Sequence, residues 1–164
     1  MLTGLPMLFL SRVQIADYQP QWSEPIADLF YLAVHAIEPG VYSPEQQQAW
    51  APKPDYLKWQ QRLANKRPFV ALIQKQVVGF LELEPDGHID CAYTHPEFQR
   101  QGVAAALLKH AEKHAQKAGL SRLFLEASKN ARPFFEKQGF TCLHENEVTI
   151  NNQTLINFVM EKYL

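Results

Sequence analysis

Cysteine is scarce, and charge of neither sign is in excess. Each shortage closes a class of function. Of 164 residues only Cys91 and Cys142 are cysteines. They lie far apart with no C-x-x-C or Cys/His ligand spacing, so neither a disulfide framework nor a structural zinc site is expected; the pair reads as reduced thiols of an intracellular protein. Sixteen lysines and arginines stand against seventeen acids, a formal charge of -1. The basic stripe that nucleic-acid or anionic-membrane binding leaves is missing, and a strongly cationic or anionic substrate is disfavoured. No apolar run approaches the roughly 20 residues that cross a bilayer. The apolar stretch at residues 5–10 is broken by Pro6, with no basic segment before it and no small-residue cleavage site after it. Neither export nor membrane insertion is expected, and the chain reads as cytoplasmic. There is no internal repeat, low-complexity tract or linker. A glycine-lysine followed by serine or threonine is also lacking, which sets aside a P-loop nucleotide site.

Nearly half of the chain is apolar. At this length that is enough to bury a core as one domain, taken as residues 1–164. Alternation over residues 12–18 suits a short strand, and an apolar stripe at Ile26, Leu29, Phe30, Ala33, Val34 and Ile37 suits a helix. Ser23 is expected to cap that helix and Pro39-Gly40 to end it. Short helices over residues 44–50 and 55–64 follow, separated by Ala51-Pro52-Lys53-Pro54. Strands at 69–73, 77–84 and 88–94, joined by short turns, read as an antiparallel meander. His95-Pro96 stops the third, because proline lacks an N–H and forces its predecessor into an extended conformation. A helix over 103–118 carries Ala104, Leu108, Ala111 and Ala115 on one stripe and lysines and glutamate on the other. A strand at 123–127, a helix at 131–138 and a hairpin of 141–150 with 155–162 complete an α+β or mixed α/β domain on one central sheet.

The segment Gln99-Arg100-Gln101-Gly102-Val103-Ala104 joins a strand end to an amphipathic helix. Backbone N–H groups converge at such a helix start and favour an anion. Gly102 allows a positive φ or close backbone approach, Ala104 leaves room for a phosphate, and Arg100 adds a charge-assisted contact.

In this context the chain resembles the GNAT superfamily of N-acetyltransferases from about residue 13 to 163. The Q/R-x-x-G-x-G/A loop of that family is matched by Gln99, Gly102 and Ala104. Ala92-Tyr93-Thr94 stands where the family's fourth strand splays from the fifth, and Phe134-Phe135-Glu136-Lys137-Gln138-Gly139-Phe140 resembles its aromatic, glutamate and Gly-Phe signature. The run Ser128 to Phe135 is similar to the S-x-x-A-R-P-F-F version of a subset of members. The resemblance implies a mixed, mostly antiparallel sheet flanked by helices. It also implies acetyl-CoA as acetyl donor, bound by Ala92, Tyr93, Thr94, the Gln99–Ala104 loop and Ser128 or Asn130.

Transfer to an amine needs a base for the amine and a proton for the departing thiolate. Asp90, on the strand leading to the slot, and Glu82 and Glu84, on its neighbour, have the chemistry of a base; Glu126 on the next strand stands where some relatives keep one. Strict alternation would place His88, Asp90, Ala92 and Thr94 on one strand face and Ile89, Cys91 and Tyr93 on the other. The family's usual tyrosine acid is replaced by Phe135, which has no proton to give; Tyr93 is the alternative acid. His35, Tyr42 and Trp50 fall where relatives hold their acceptor pocket. His110 and His114 have helical i, i+4 spacing but no third ligand, and no metal site is expected. Two readings result: an N-acetyltransferase acting on a primary amine of a small molecule or peptide, as a monomer or homodimer, or a non-catalytic acyl-CoA-binding module.

Overall fold

The computed structural model describes residues 12–164. The apolar stretch at residues 5–10 lies outside them. Five α-helices and seven strands follow in the order β1 (Gln14–Asp17), α1 (Ser23–His35), α2 (Pro44–Trp50), α3 (Tyr56–Lys66), β2 (Phe69–Ile73), β3 (Gln76–Leu83), β4 (His88–Thr94), α4 (Val103–Lys117), β5 (Arg122–Ser128), α5 (Arg132–Lys137), β6 (Thr141–Ile150) and β7 (Gln153–Tyr163). All seven strands join one sheet in the order β1-β2-β3-β4-β5-β7-β6. Every neighbouring pair is antiparallel except β4 with β5.

Local chemistry explains most boundaries. Ser43 accepts from the Gln46 N–H while Gln46 reaches back to the Ser43 N–H, a reciprocal cap that starts α2 with Pro44 in its first turn. Asp55 caps α3 through the Lys58 N–H. At α1 the expected cap differs. The helix is entered from a short 3-10 turn, Pro20–Trp22, so Ser23 lies inside the helix and its hydroxyl caps nothing. The helix also stops at His35, ahead of Pro39-Gly40.

The two faces of the sheet bury separate cores. Val103, Leu107, Leu108, Ala111 and Ala115 of α4 pack on Ala71, Val78 and Leu81. On the other face Ile26 and Leu29 of α1 and Leu63 of α3 pack on Val70, Val77 and Phe80. The alternating side chains of β2 thus feed both layers. Gly79 on β3 lets α4 sit close: a Cβ there would meet Val103 Cγ1 at 2.7 Å and the Tyr93 carbonyl oxygen at 3.1 Å. Because Gly79 pairs with Thr94, the start of α4 is pressed against the end of β4. Among the described residues no helix is long and apolar enough to cross a membrane.

Candidate active site

Strands β4 and β5 pair only at His88 with Phe124 and Ile89 with Leu125. Beyond that point they part: β4 stays paired to β3 and β5 to β7, but Asp90 to Thr94 and Glu126 to Ser128 have no partners across the gap between them. Those facing N–H and C=O groups must bond water or a ligand. The cause of the parting is visible in β4. Glu82 pairs with Cys91 while Leu83 pairs with Ile89, so Asp90 is an extra residue, a bulge. It also breaks the alternation expected from sequence. Ile89 packs in the α4 core, whereas Cys91 and Tyr93 pack against the α1 and α3 core, on the opposite face.

The parting opens two cavities. One, of about 490 Å³, lies against α4 and is lined by Thr94, Gln99, Arg100, Gly102, Val103, Ala104 and Asn130, among others. The other, of about 370 Å³, lies under α2 and the β6–β7 hairpin, with Tyr42, Asp90, Cys91, Glu126 and Ile156 in its walls. Trp50, Ala92, Tyr93, Ser128, Ala131 and Phe135 line both, so the cavities meet there.

The α4 cleft offers backbone donors. No side chain caps α4, and its first intrahelical donor is the Ala106 N–H to the Gly102 carbonyl, so the amides of Val103, Ala104 and Ala105 lack intrahelical partners. Gly102 adopts φ +81° and Arg100 φ +61°. A non-glycine residue in the left-handed region is uncommon, and alternating handedness turns successive N–H groups into a concavity that suits an anion. A Cβ at Gly102 would meet nothing within 4 Å, so its glycine serves conformation and open space. Gln101 is exposed and its amide points to the Glu97 carbonyl; it does not line the cleft. Ser128 and Asn130 both lie at the cleft, with the Ser128 hydroxyl accepting from the Ala131 N–H.

The hairpin cleft is backed by a chain of ion pairs that sequence reading did not foresee. Arg62 on α3 grips the fully buried Glu82 with Nε at 3.1 Å and Nη2 at 2.6 Å. The same Nη2 reaches Asp90 at 3.1 Å and the Cys91 sulfur at 3.3 Å. Lys66, one turn on, donates to Asp90 at 3.0 Å and Glu84 at 3.2 Å. His88 sets Nδ1 against Glu84 at 2.6 Å and Nε2 against Glu126 at 2.7 Å. With a carboxylate at each ring nitrogen both nitrogens donate, the pattern of the imidazolium form. Burial pulls the His88 pKa down, and the two carboxylates more than reverse that, leaving it above its ordinary value. For Asp90 burial pushes up, and Lys66 with Arg62 reverses it, so the carboxyl lies below its ordinary range. Glu84 is lowered chiefly by His88. Glu84, His88 and Asp90 bring ligand-type atoms within 4.8 Å of one another, but the Lys66 ammonium already bridges the two carboxylates.

Of the five candidates for moving protons, Asp90, Glu126 and Tyr93 reach a cavity, while Glu82 and Glu84 line neither. Glu82 is sealed beneath Arg62, and Glu84 is held by Lys66 and His88. Tyr93 sits among Phe30, Phe80 and Trp50, and burial raises its pKa well above the ordinary phenol value. Its phenol therefore stays protonated. His35 lines neither cavity: it stacks on Tyr31, and its Nε2 bonds the Ala51 carbonyl at 2.8 Å. Tyr42 is at the hairpin cleft, but its hydroxyl is spent, donating to the Ile156 carbonyl at 2.5 Å and accepting from the Lys129 N–H at 3.0 Å. Trp50 is at the junction itself. His110 and His114 both pack edge-on against Phe69. Arg62, Lys66 and His88 went unread because their roles rest on partners 4 to 38 residues away that only the folded sheet brings near.

Comparison with known proteins agrees with this geometry. An acetyltransferase (GNAT) domain family matches residues 39–162. The uncharacterised N-acetyltransferase YafP of Escherichia coli (strain K12) is 36% identical over 151 residues, covering 92% of this chain and 96% of that protein. A crystal structure from Rhodopseudomonas palustris, described as a GCN5-related N-acetyltransferase and as an aminotransferase, class-II, is 35% identical with a TM-score of 0.88, covering 94% and 97% of the two chains. The PaiA N-acetyltransferase of Thermoplasma acidophilum, in complex with coenzyme A, shares the fold at 21% identity and a TM-score of 0.72, covering 93% and 99%. The splayed sheet, the uncapped α4 and these likenesses agree, and the chain belongs to the GNAT family of acetyltransferases, whose acetyl donor is acetyl-CoA.

Proposed function

We propose that the chain is an acetyl-CoA-dependent N-acetyltransferase whose donor occupies the α4 cleft and whose amine acceptor enters through the hairpin cleft. The observation that carries this reading is the meeting of the two cavities at Trp50, Ala92, Tyr93, Ser128, Ala131 and Phe135, between two strand edges that lack partners. When bound, acetyl-CoA supplies an acetyl group activated as a thioester. The amides of Val103, Ala104 and Ala105, with the Arg100–Gly102 concavity, hold the pyrophosphate at the positive end of α4. The free edge of β4 from Ala92 to Thr94 orients the pantetheine arm, and its N–H groups polarise the thioester carbonyl. Asp90 takes a proton from the attacking amine, directly or through water. As the new carbon–nitrogen bond forms, the carbon–sulfur bond breaks and its electron pair leaves on sulfur. Tyr93, whose phenol stays protonated, donates a hydrogen bond to that sulfur where Phe135 has no group to do so, and the departing thiolate takes its proton from water.

Asp90 is kept ionised by Lys66 and Arg62, which makes it a weak base. The attacking amine is then drawn from a small neutral fraction, so kcat/KM should climb with pH toward the pKa of the amine itself instead of levelling near neutrality. The test is free-thiol release from acetyl-CoA across a panel of primary amines, with Tyr93→Phe alongside. Amine-dependent release, and a loss in Tyr93→Phe of about tenfold or more in kcat with unchanged cofactor affinity, is expected. Cofactor binding without thiol release on any acceptor would favour the non-catalytic acyl-CoA module, for which the missing hydroxyl at Phe135 is the supporting feature.

A further inference from the structure

Whole-chain charge, near zero, hides a local imbalance at the hairpin cleft. The ionised groups lining it are Asp90 and Glu126; no lysine, arginine or histidine lines it. Behind them four carboxylates, Glu82, Glu84, Asp90 and Glu126, are bonded to only three cations, Arg62, Lys66 and His88. Even with His88 protonated the group is one positive charge short. Of the two carboxylates that face the cavity, Asp90 shares Arg62 with Glu82 and Lys66 with Glu84, Glu126 shares His88 with Glu84, and their side chains keep 33% and 41% of their exposure. Lys129, next to Ser128, does not supply the missing charge: its ammonium lies over the Tyr42 ring and bonds the Val41 carbonyl. The facing wall is apolar, built by Val148, Ile150, Leu155 and Ile156 of the hairpin. At about 370 Å³ the space has the size of a small-molecule pocket.

Resting on the reading that the acceptor enters here, we infer that it is a small primary amine on an apolar body, carrying no carboxylate of its own and bound between Asp90 and Glu126 as its ammonium ion, which releases one proton to water to give the neutral amine that attacks. The ammonium completes the charge count, and the hairpin wall removes the apolar body from water. A carboxylate on the acceptor would meet Asp90 and Glu126 as a third like charge, in a cavity with no cation to receive it.

The experiment compares 2-phenylethylamine, phenylalanine, which is the same body with a carboxylate, and a lysine-bearing peptide in the thiol-release assay. Phenylethylamine should exceed both others in kcat/KM by about tenfold or more. Glu126→Gln, nearly isosteric and half-exposed, should raise its KM by about tenfold with kcat little changed, and Asp90→Asn should raise KM and lower kcat together. A second readout needs no turnover. In the presence of CoA, adding phenylethylamine should lower the His88 pKa seen by NMR of the ring, because the new cation weakens the hold of Glu126 on the imidazolium. This wild-type measurement stands even if a variant fails to fold. Preference for phenylalanine or the peptide, an unchanged KM in Glu126→Gln, or a His88 titration indifferent to the amine would overturn the inference and leave the N-acetyltransferase reading in place. Absence of thiol release with every acceptor would overturn both.

Discussion

The two clefts are built from different materials. The α4 cleft presents backbone: uncapped amides, two left-handed residues and the bare edge of β4. The hairpin cleft presents side chains, two carboxylates paired with Arg62 and Lys66 of α3 and His88 of β4. Backbone recognition needs small residues and a fixed loop and tolerates much variation around them, which suits a donor common to a family. Side-chain recognition changes with every substitution, which suits an acceptor that differs between members.

The sharpest way to break the comparison is at Arg62, which ties α3 to the buried Glu82 of the sheet beneath the hairpin cleft. Arg62→Ala leaves Glu82 as an unpaired charge in a fully buried site, and the expected loss is about 3 kcal/mol or more of folding stability, read by urea unfolding. Where the variant still folds, its acetyl-CoA affinity should stay near wild type, because the damage lies on the other side of the junction. Gly102→Asp is the mirror experiment. It sets a side chain on a positive φ and a negative charge at the proposed phosphate site, and should weaken acetyl-CoA binding by about 100-fold in calorimetry, about 2.7 kcal/mol, while the strained φ lowers folding stability by about 1 kcal/mol. The smallest expected effect concerns the strap between β4 and β5. A His88 pKa raised in the folded state gives stability that is full below the ordinary histidine value near 6.5 and is lost as pH rises through the raised value. Thermal melts of wild type should therefore decline across that window by an amount equivalent to about 1 kcal/mol or less, and His88→Gln should flatten the decline. Protonation of Glu84 and Asp90 acts at lower pH, since both are depressed, and does not confuse the reading.

Most of the fold was legible because its signals are local. The apolar stripe of α4, the Ser43-Pro44 start of α2 and the proline after β4 each act over a few residues, and each element appears within a few residues of its expected limits. The turn at Gly102 and the start of α4 were legible for the same reason: they are adjacent in sequence. Position α1 was misjudged at its start because a 3-10 turn replaced a side-chain cap, a choice set by packing. The acceptor side was poorly legible. The bulge at Asp90 changes which face each β4 residue occupies, and no pattern in the strand itself announces it. Asp90 is favoured over Glu82 and Glu84 as base from the sequence, but that Asp90 lines the cavity and the two glutamates do not, and that Arg62, Lys66 and His88 hold all three, cannot be read there. An Arg62-x-x-x-Lys66 spacing on a helix facing a strand rich in acids was the one available hint, since i and i+4 share a helix face.

The division of labour between the clefts is tested most directly by an amide-resolved NMR titration of the wild-type protein with CoA. The account predicts the largest shifts at Gly102, Val103, Ala104 and Ala105 and along Ala92 to Thr94, with the hairpin residues Val148, Ile150 and Leu155 nearly unmoved. Shifts concentrated on the hairpin, with the start of α4 silent, would contradict it.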